Sequence, residues 1–193
     1  MSARLEEISA SILTSLQLNL SFDSEGRPVI SAPQVGTPKW PSKLEPHRTV
    51  VMDTTPSLDG EFWPTPRFEI LIANLDSVGI SVVQVGDPSS EFLARANHHY
   101  KKLAPSDRAG VISQTLLWIG MNTQWRFIAA ALGKPQIVIA SSSAQVDPRW
   151  NDTYIVDATT HAPESKALGP ISVTSVAEAV TKALKKIGAA ATS

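Results

Sequence analysis

The stretch with the clearest chemical potential is Met121-Asn122-Thr123-Gln124, between an apolar run ending in Ile119-Gly120 and an alanine-rich segment opening at Trp125. Where a strand passes into a helix, the first backbone N–H groups of the helix lack intrahelical partners and can accept a phosphate. Thr123 adds a hydroxyl, and Arg126 and Lys134 are nearby cations for a developing diphosphate charge. The same residues admit a plainer role, since Asn122 or Thr123 can cap the helix without any ligand. Both readings stand on these residues.

In an open parallel sheet, ligands gather beyond the carboxyl ends of the strands. The loops that qualify are 54–62, 86–90, 121–126 and 141–150, which adds Thr54, Thr55, Gly86 and Ser141 to the nucleotide-binding candidates Asn122, Thr123, Gln124 and Arg126. Gly86-Asp87-Pro88-Ser89-Ser90 has neither a GxGxxG nor a GxxxxGKS pattern and reads as a tight turn with a helix cap. Ser141-Ser142-Ser143 offers hydroxyls to phosphate, ribose or simply water. His98 and His99 fall in 90–103, which reads as a helix; neighbours there project about 100° apart and cannot share one metal. Asp147 and Asp157 have no histidine or serine partner in the pattern, so neither a triad nor a carboxylate pair can be assembled. No catalytic residue, metal site or cofactor is therefore assigned. Of the two tryptophans flanking the best loop, Trp118 reads as core rather than as a platform for a base.

Composition narrows the classes further. The 193-residue chain has no cysteine, which excludes disulfides and thiol nucleophiles. A formal net charge of -1 with 18% charged residues leaves no basic excess for a nucleic-acid backbone. Met1 to Leu20 mixes acidic and apolar residues without a continuous apolar block, so neither a signal peptide nor a membrane span is expected, and a cytoplasmic setting fits.

The elements that must position these loops are legible as alternating runs. Leu5, Ile8, Ile12, Leu13 and Leu16 predict an amphipathic helix over 4–18. Residues 26–46, with five prolines and two glycines, predict an extended connector. Apolar, β-branched runs predict buried strands at 49–53, 80–85, 115–120 and 136–140, with a fifth at 154–156. Helical stripes are expected from Phe68 to Leu75, over 90–103, from Trp125 to Leu132 and over 175–187, the last with lysines in its final turns. Strand and helix in alternation imply right-handed crossovers and one α/β, Rossmann-like domain over 1–193, with helices on both faces of a parallel sheet.

Two segments resemble the heptosyltransferase family, glycosyltransferase family 9. Trp63-Pro64-Thr65-Pro66-Arg67-Phe68 is similar to the family's K-x-W-P…R-F entry, and Ile119 to Pro135 is similar to its hxGxDSGpxHlAaAlGkP signature. The resemblance implies the C-terminal, donor-binding half of a two-domain GT-B enzyme, with the second segment holding the diphosphate of a nucleotide sugar. This chain departs from the pattern in three places. Asn122-Thr123-Gln124 stands where the family has Asp-Ser-Gly, Phe127 stands for the histidine, and Glu61 takes the position of a phosphate-contacting lysine. A carboxylate there repels a diphosphate. The span between Leu103 and Thr115 also reads as too short for the family's strand and helix. Two functions follow as expectations. One is a degenerate nucleotide-sugar-binding domain acting with a partner chain or by self-association. The other is a non-catalytic assembly module that keeps the half fold.

Overall fold

A computed structural model describes residues 20–24, 26–30, 35–57, 60–88, 90–100, 102–142, 146, 152–158 and 168–191. The helix expected at 4–18 lies outside these residues. Within the described chain, β1 (Leu20–Phe22) and β2 (Pro28–Ile30) form an antiparallel hairpin in which Leu20 faces Ile30. Its turn is tied by Asp23, whose carboxylate accepts from the Arg27 backbone at 2.9 Å and from the Arg27 guanidinium at 3.0 Å. The expected connector thus contains a strand, followed by chain without regular structure over 35–44 that turns at 42–43.

The apolar runs become a six-stranded parallel sheet, because only strands buried on both faces tolerate such unbroken hydrophobic sequence. Its members are β3 (Thr49–Asp53), β4 (Ser81–Val85), β5 (His98–His99), β6 (Trp118–Met121), β7 (Gln136–Ala140) and β8 (Thr153–Asp157). They lie in the order β5-β4-β3-β6-β7-β8, and every neighbouring pair is parallel. Helices α1 (Thr65–Ser77) and α4 (Val173–Ala191) cover one face, packing on Val50, Met52, Val82, Ile119, Ile137 and Ile139. Helices α2 (Pro105–Gln114) and α3 (Trp125–Ala131) cover the other, on Val51, Val83, Val85, Trp118 and Val138. The faces alternate residue by residue, as the two-residue strand period requires. Strand β2 of the hairpin packs on α3. This is the Rossmann-like α/β architecture that the alternation of runs implies.

Residues 90–103 are not a helix. They form an irregular loop followed by the edge strand β5, and the helix comes later, as α2. The reason lies in where the loop's backbone donors go. The Leu93 N–H donates to Gln84 Oε1 at 2.9 Å, and those of Ala94 and Arg95 donate to the Glu69 carboxylate at 2.5 and 3.0 Å. The Asn97 N–H donates to the Val82 carbonyl at 2.9 Å, while Asn97 Oδ1 accepts from the Val82 N–H at 2.7 Å. Side chains from β4 and α1 thus supply the partners that a helix would have supplied itself. The strand-and-helix unit expected to be missing before Thr115 is present as β5 and α2. His98 and His99, being on a strand, point to opposite sides of the sheet. The third apolar strand also begins later than expected, at Trp118, and includes Met121.

Trp63 ties the β3–α1 loop to the chain before α4. Its side chain is fully buried, Nε1 donates to the Ile171 carbonyl at 2.9 Å, and Phe68 meets the indole edge-on with ring centres 4.7 Å apart. Arg67 reinforces the join by donating to the carbonyls of Gly169 and Ile171. Trp63→Ala should therefore cost about 3–5 kcal/mol. For a chain of this size the melting temperature should fall by roughly 6–20 °C, measured by calorimetry. An unchanged melting temperature would show that Trp63 anchors nothing.

Candidate functional site

From β3 the chain builds outward through β4 to β5, then returns to place β6 on the opposite side of β3. The crossover connections therefore diverge between β3 and β6, and in such sheets ligands collect in the crevice beyond the strand ends at this point. Asp53 ends β3 opposite Gly120 of β6. Gly120 has no side chain for a steric reason. A Cβ there would stand 2.6 Å from the Trp118 ring and 3.0 Å from Asp53 Cβ.

The crevice is organised by one buried cation. Arg108, on α2, is 3% exposed. One terminal nitrogen donates to Asp53 Oδ1 at 2.5 Å and to the Thr55 hydroxyl at 2.7 Å, and the other donates to Asp87 Oδ1 at 2.9 Å. Asp53 Oδ1 also accepts the Thr55 N–H at 2.9 Å. The guanidinium carbon lies 3.9 Å from the centre of the Trp125 ring. Two polar atoms of this group, Asp53 Oδ2 and Arg108 Nε, are buried without a partner among the described residues, as is Asn122 Oδ1 across the crevice. Of this network only Thr55 was a candidate from sequence; the pairing of Arg108 was not legible, because it lies 55 positions from Asp53 and 21 from Asp87.

The residues read from sequence divide into three groups. Thr54, Thr55 and Gly86 come together at this network. The Thr54 hydroxyl accepts from the Gln84 amide at 2.8 Å, and a Cβ on Gly86 would meet Ser90 at 2.7 Å and Thr54 Oγ1 at 2.9 Å. The motif residues form a buried cap rather than an open cradle. Thr123 is fully buried with its Oγ1 accepting the Trp125 N–H at 3.2 Å, and Arg126 is buried with its guanidinium 4.2 Å from the Phe127 ring. Asn122 and Ser141 are buried at the ends of β6 and β7, and Gln124 is half-buried. Lys134 lies at the wrong end of the sheet. It precedes β7 and donates to the Thr115 carbonyl at 2.8 Å, beneath the amino ends of the strands, where burial lowers its pKa. Helix α3 carries the chain away from the crevice before Lys134 is reached.

Beside the network, beyond β4 and β5, lies a cavity of about 500 Å³ lined by Gln84, Asp87, Glu91, Phe92, His99 and Tyr100. Phe92 stacks on His99 with ring centres 3.9 Å apart and planes 26° apart. Gln84 Oε1 already accepts the Leu93 N–H, so it must also be the acceptor in its 2.7 Å contact with His99 Nδ1. That assigns the proton of neutral His99 to Nδ1 and leaves Nε2 as the acceptor nitrogen. Tyr100 donates to the Lys39 carbonyl at 3.0 Å, and partial burial raises its phenol pKa. Of this cavity's lining, the turn 86–90 was legible beforehand as a strand-end loop, with Gly86 its named candidate. Phe92 and His99 were hidden by the helical reading of 90–103. Among the described residues, no cluster of three His, Asp or Glu could hold a metal, and no helix is long and apolar enough to cross a membrane.

A six-stranded sheet in this order, with its crevice between β3 and β6, has the fold of one half of a GT-B glycosyltransferase. Solved structures agree in fold. The family 9 glycosyltransferase of Veillonella parvula superimposes with a TM-score of 0.60 at 14% identity, over 72% of this chain and 47% of its own. The ADP-heptose lipopolysaccharide heptosyltransferase II of E. coli gives 0.60 at 14%, over 74% and 48%. The dodecameric iron-containing heptosyltransferase TibC, solved in complex with an ADP-heptose, gives 0.60 at 14%, over 84% and 51%. This chain thus spans about half the length of the structures it matches. No protein-family model matches it, and no curated protein matches it by sequence.

Removing the central cation should expose how much the network contributes. Arg108→Ala leaves Asp53 buried without a counter-charge and should lower the unfolding free energy by about 3–5 kcal/mol, read by urea denaturation. Asp53→Asn in the same chain should recover part of that loss. A single-variant loss within about 0.5 kcal/mol, the range of ordinary surface substitutions, would show that the crevice is held by other contacts.

Proposed function

We propose that the chain is a degenerate, glycosyltransferase-like nucleotide-sugar-binding domain that acts with a partner chain or with copies of itself and transfers no sugar alone. The observation that supports this reading is the commitment of Arg108 to Asp53 and Asp87, so that the cation at the centre of the site is already paired. Sugar transfer from a nucleotide donor expels a nucleoside diphosphate, and that leaving group needs positive charge or N–H donors as it forms. Here the motif turn is buried with Thr123 as a cap, and Phe127 can donate no hydrogen bond from the position where the resembled pattern has histidine. Glu61 adds a carboxylate in the β3–α1 loop whose Oε2 is buried without a partner among the described residues. The half length relative to the matched enzymes supports a role beside another domain, and 1–193 is read as one Rossmann-like domain in a cytoplasmic setting. TibC, whose structure is dodecameric, is a precedent for self-association in the same fold.

The second reading, a purely structural or assembly module, is favoured by the burial of Thr123 and Arg126. Sugar-nucleotide turnover by the purified chain, alone and with candidate partner chains, separates the outcomes. The expectation is no hydrolysis or transfer by the chain alone and weak nucleotide binding at the crevice. Donor turnover by the chain alone, lost on Thr123→Ala, would overturn the proposal in favour of an intact enzyme.

A further inference from the structure

At the amino ends of the strands, opposite the crevice, lies a second cavity of about 410 Å³. It opens between the short 3-10 turn Pro46–Arg48, the end of α2 and the last turns of α4. Lys134 lines it together with Pro46, His47, Gln114, Leu116 and Ile187. We infer that this cavity is a covalent binding site for a small aliphatic aldehyde, which the Lys134 amine holds as an imine. The site is independent of the nucleotide reading, because it shares no residue with the crevice.

The amine is presented from a fixed backbone. Gly133, with φ 68°, closes α3 in the left-handed region that favours glycine. Its N–H donates to the Ala130 carbonyl and the Lys134 N–H donates to the Ala129 carbonyl, each at 2.9 Å. At the far end of the side chain, Nζ donates to the Thr115 carbonyl at 2.8 Å. Thr115 is itself buried and tied down, its hydroxyl donating to the Ile112 carbonyl at 2.9 Å. A hydrogen bond through one N–H orients the nitrogen and leaves the lone pair of the neutral amine for a carbonyl carbon.

A lysine becomes a nucleophile near neutral pH where its ammonium is desolvated and no carboxylate stands beside it. Both conditions hold here. Among the described residues no Asp or Glu lines the cavity, and burial lowers the Lys134 pKa. His47 is the other titratable group on the wall among these residues; it is exposed, with Nε2 3.4 Å from the Glu45 carboxylate. On α4, Lys186 is engaged by Asp152. Pro46, Leu116 and Ile187 offer apolar walls to a short alkyl chain, and the volume lies within the ordinary range for small-molecule sites. The lone pair of Nζ adds to the aldehyde carbon, a proton passes from nitrogen to the former carbonyl oxygen, and loss of water leaves the C=N bond. The step is reversible and involves no oxidant or reductant.

Incubating the full chain with butanal and cyanoborohydride, which reduces the imine to a stable secondary amine, tests this when the product is mapped by peptide mass spectrometry. At pH 7 Lys134 should be alkylated at least about three-fold faster than the exposed Lys39, Lys43 and Lys185, because a larger share of it is neutral. Its rate should level off as butanal rises, as occupancy of a cavity requires, while theirs should rise in proportion. Gln114→Glu sets a carboxylate on the wall with little change in shape. By stabilising the ammonium it should slow Lys134 several-fold and move its pH profile upward, with Lys39 unchanged. Equal rates at Lys134 and the exposed lysines would overturn the inference. A Lys134 rate that stays proportional to butanal would also overturn it, by showing a reactive amine without a binding site. An unchanged rate in Gln114→Glu would overturn the assignment to this cavity.

Discussion

Arg108 holds together the part of the molecule where function would sit. A guanidinium with almost no access to water is costly to bury, and it persists here because its two terminal nitrogens meet carboxylates from the ends of β3 and the turn after β4. Its flat face lies against Trp125 at the start of α3. A single side chain thus joins two strand ends and both helices of one face. Breaking such an arrangement at one point is worse than never having it, because each remaining charge would be stranded in low dielectric. The crevice consequently has little freedom to exchange internal pairing for a ligand.

That constraint separates what holds the fold from what would act on a ligand. The sheet order belongs to packing, and the fold it makes is shared with the GT-B halves that the chain superimposes on. The polar groups that would act on a ligand are local, so a change in them leaves the packing untouched. Fold and activity separate for this reason.

The same separation governs what could be read from the residues in order. Strands β3, β4, β6 and β7 were legible because a parallel strand buried on both faces must be apolar along its length, and that signal is local, while the partly buried edge strand β8 showed only as Tyr154 to Val156. The loop at 90–97 was not legible, since its hydrogen-bond partners are side chains of Gln84 and Glu69 rather than its own neighbours. Its amphipathic pattern therefore suggested a helix that tertiary contacts replaced. The hairpin strands β1 and β2 are three residues each, too short to show a period. Site residues fared unevenly for a similar reason. Thr54, Thr55 and Gly86 follow from topology alone, because strand ends are fixed once the strands are known. Lys134 was excludable on the same grounds, as a residue between a helix and the next strand lies at the amino edge. Arg108 carried no local signal. Its importance exists only once α2 is packed over β3.

The loop after β4 has a consequence for how the molecule breathes. Backbone amides in irregular segments usually exchange with solvent quickly, but the Leu93 amide is held by a side chain of a central strand and the Ala94 and Arg95 amides by a residue of α1. The Leu93 proton, buried against Gln84, is released only when β4 gives way and should exchange with the slow cooperative opening of the sheet, whereas the exposed Ala94 and Arg95 amides need only a turn of the Glu69 side chain. A segment with no regular structure of its own then becomes a reporter on the integrity of the layer beneath it.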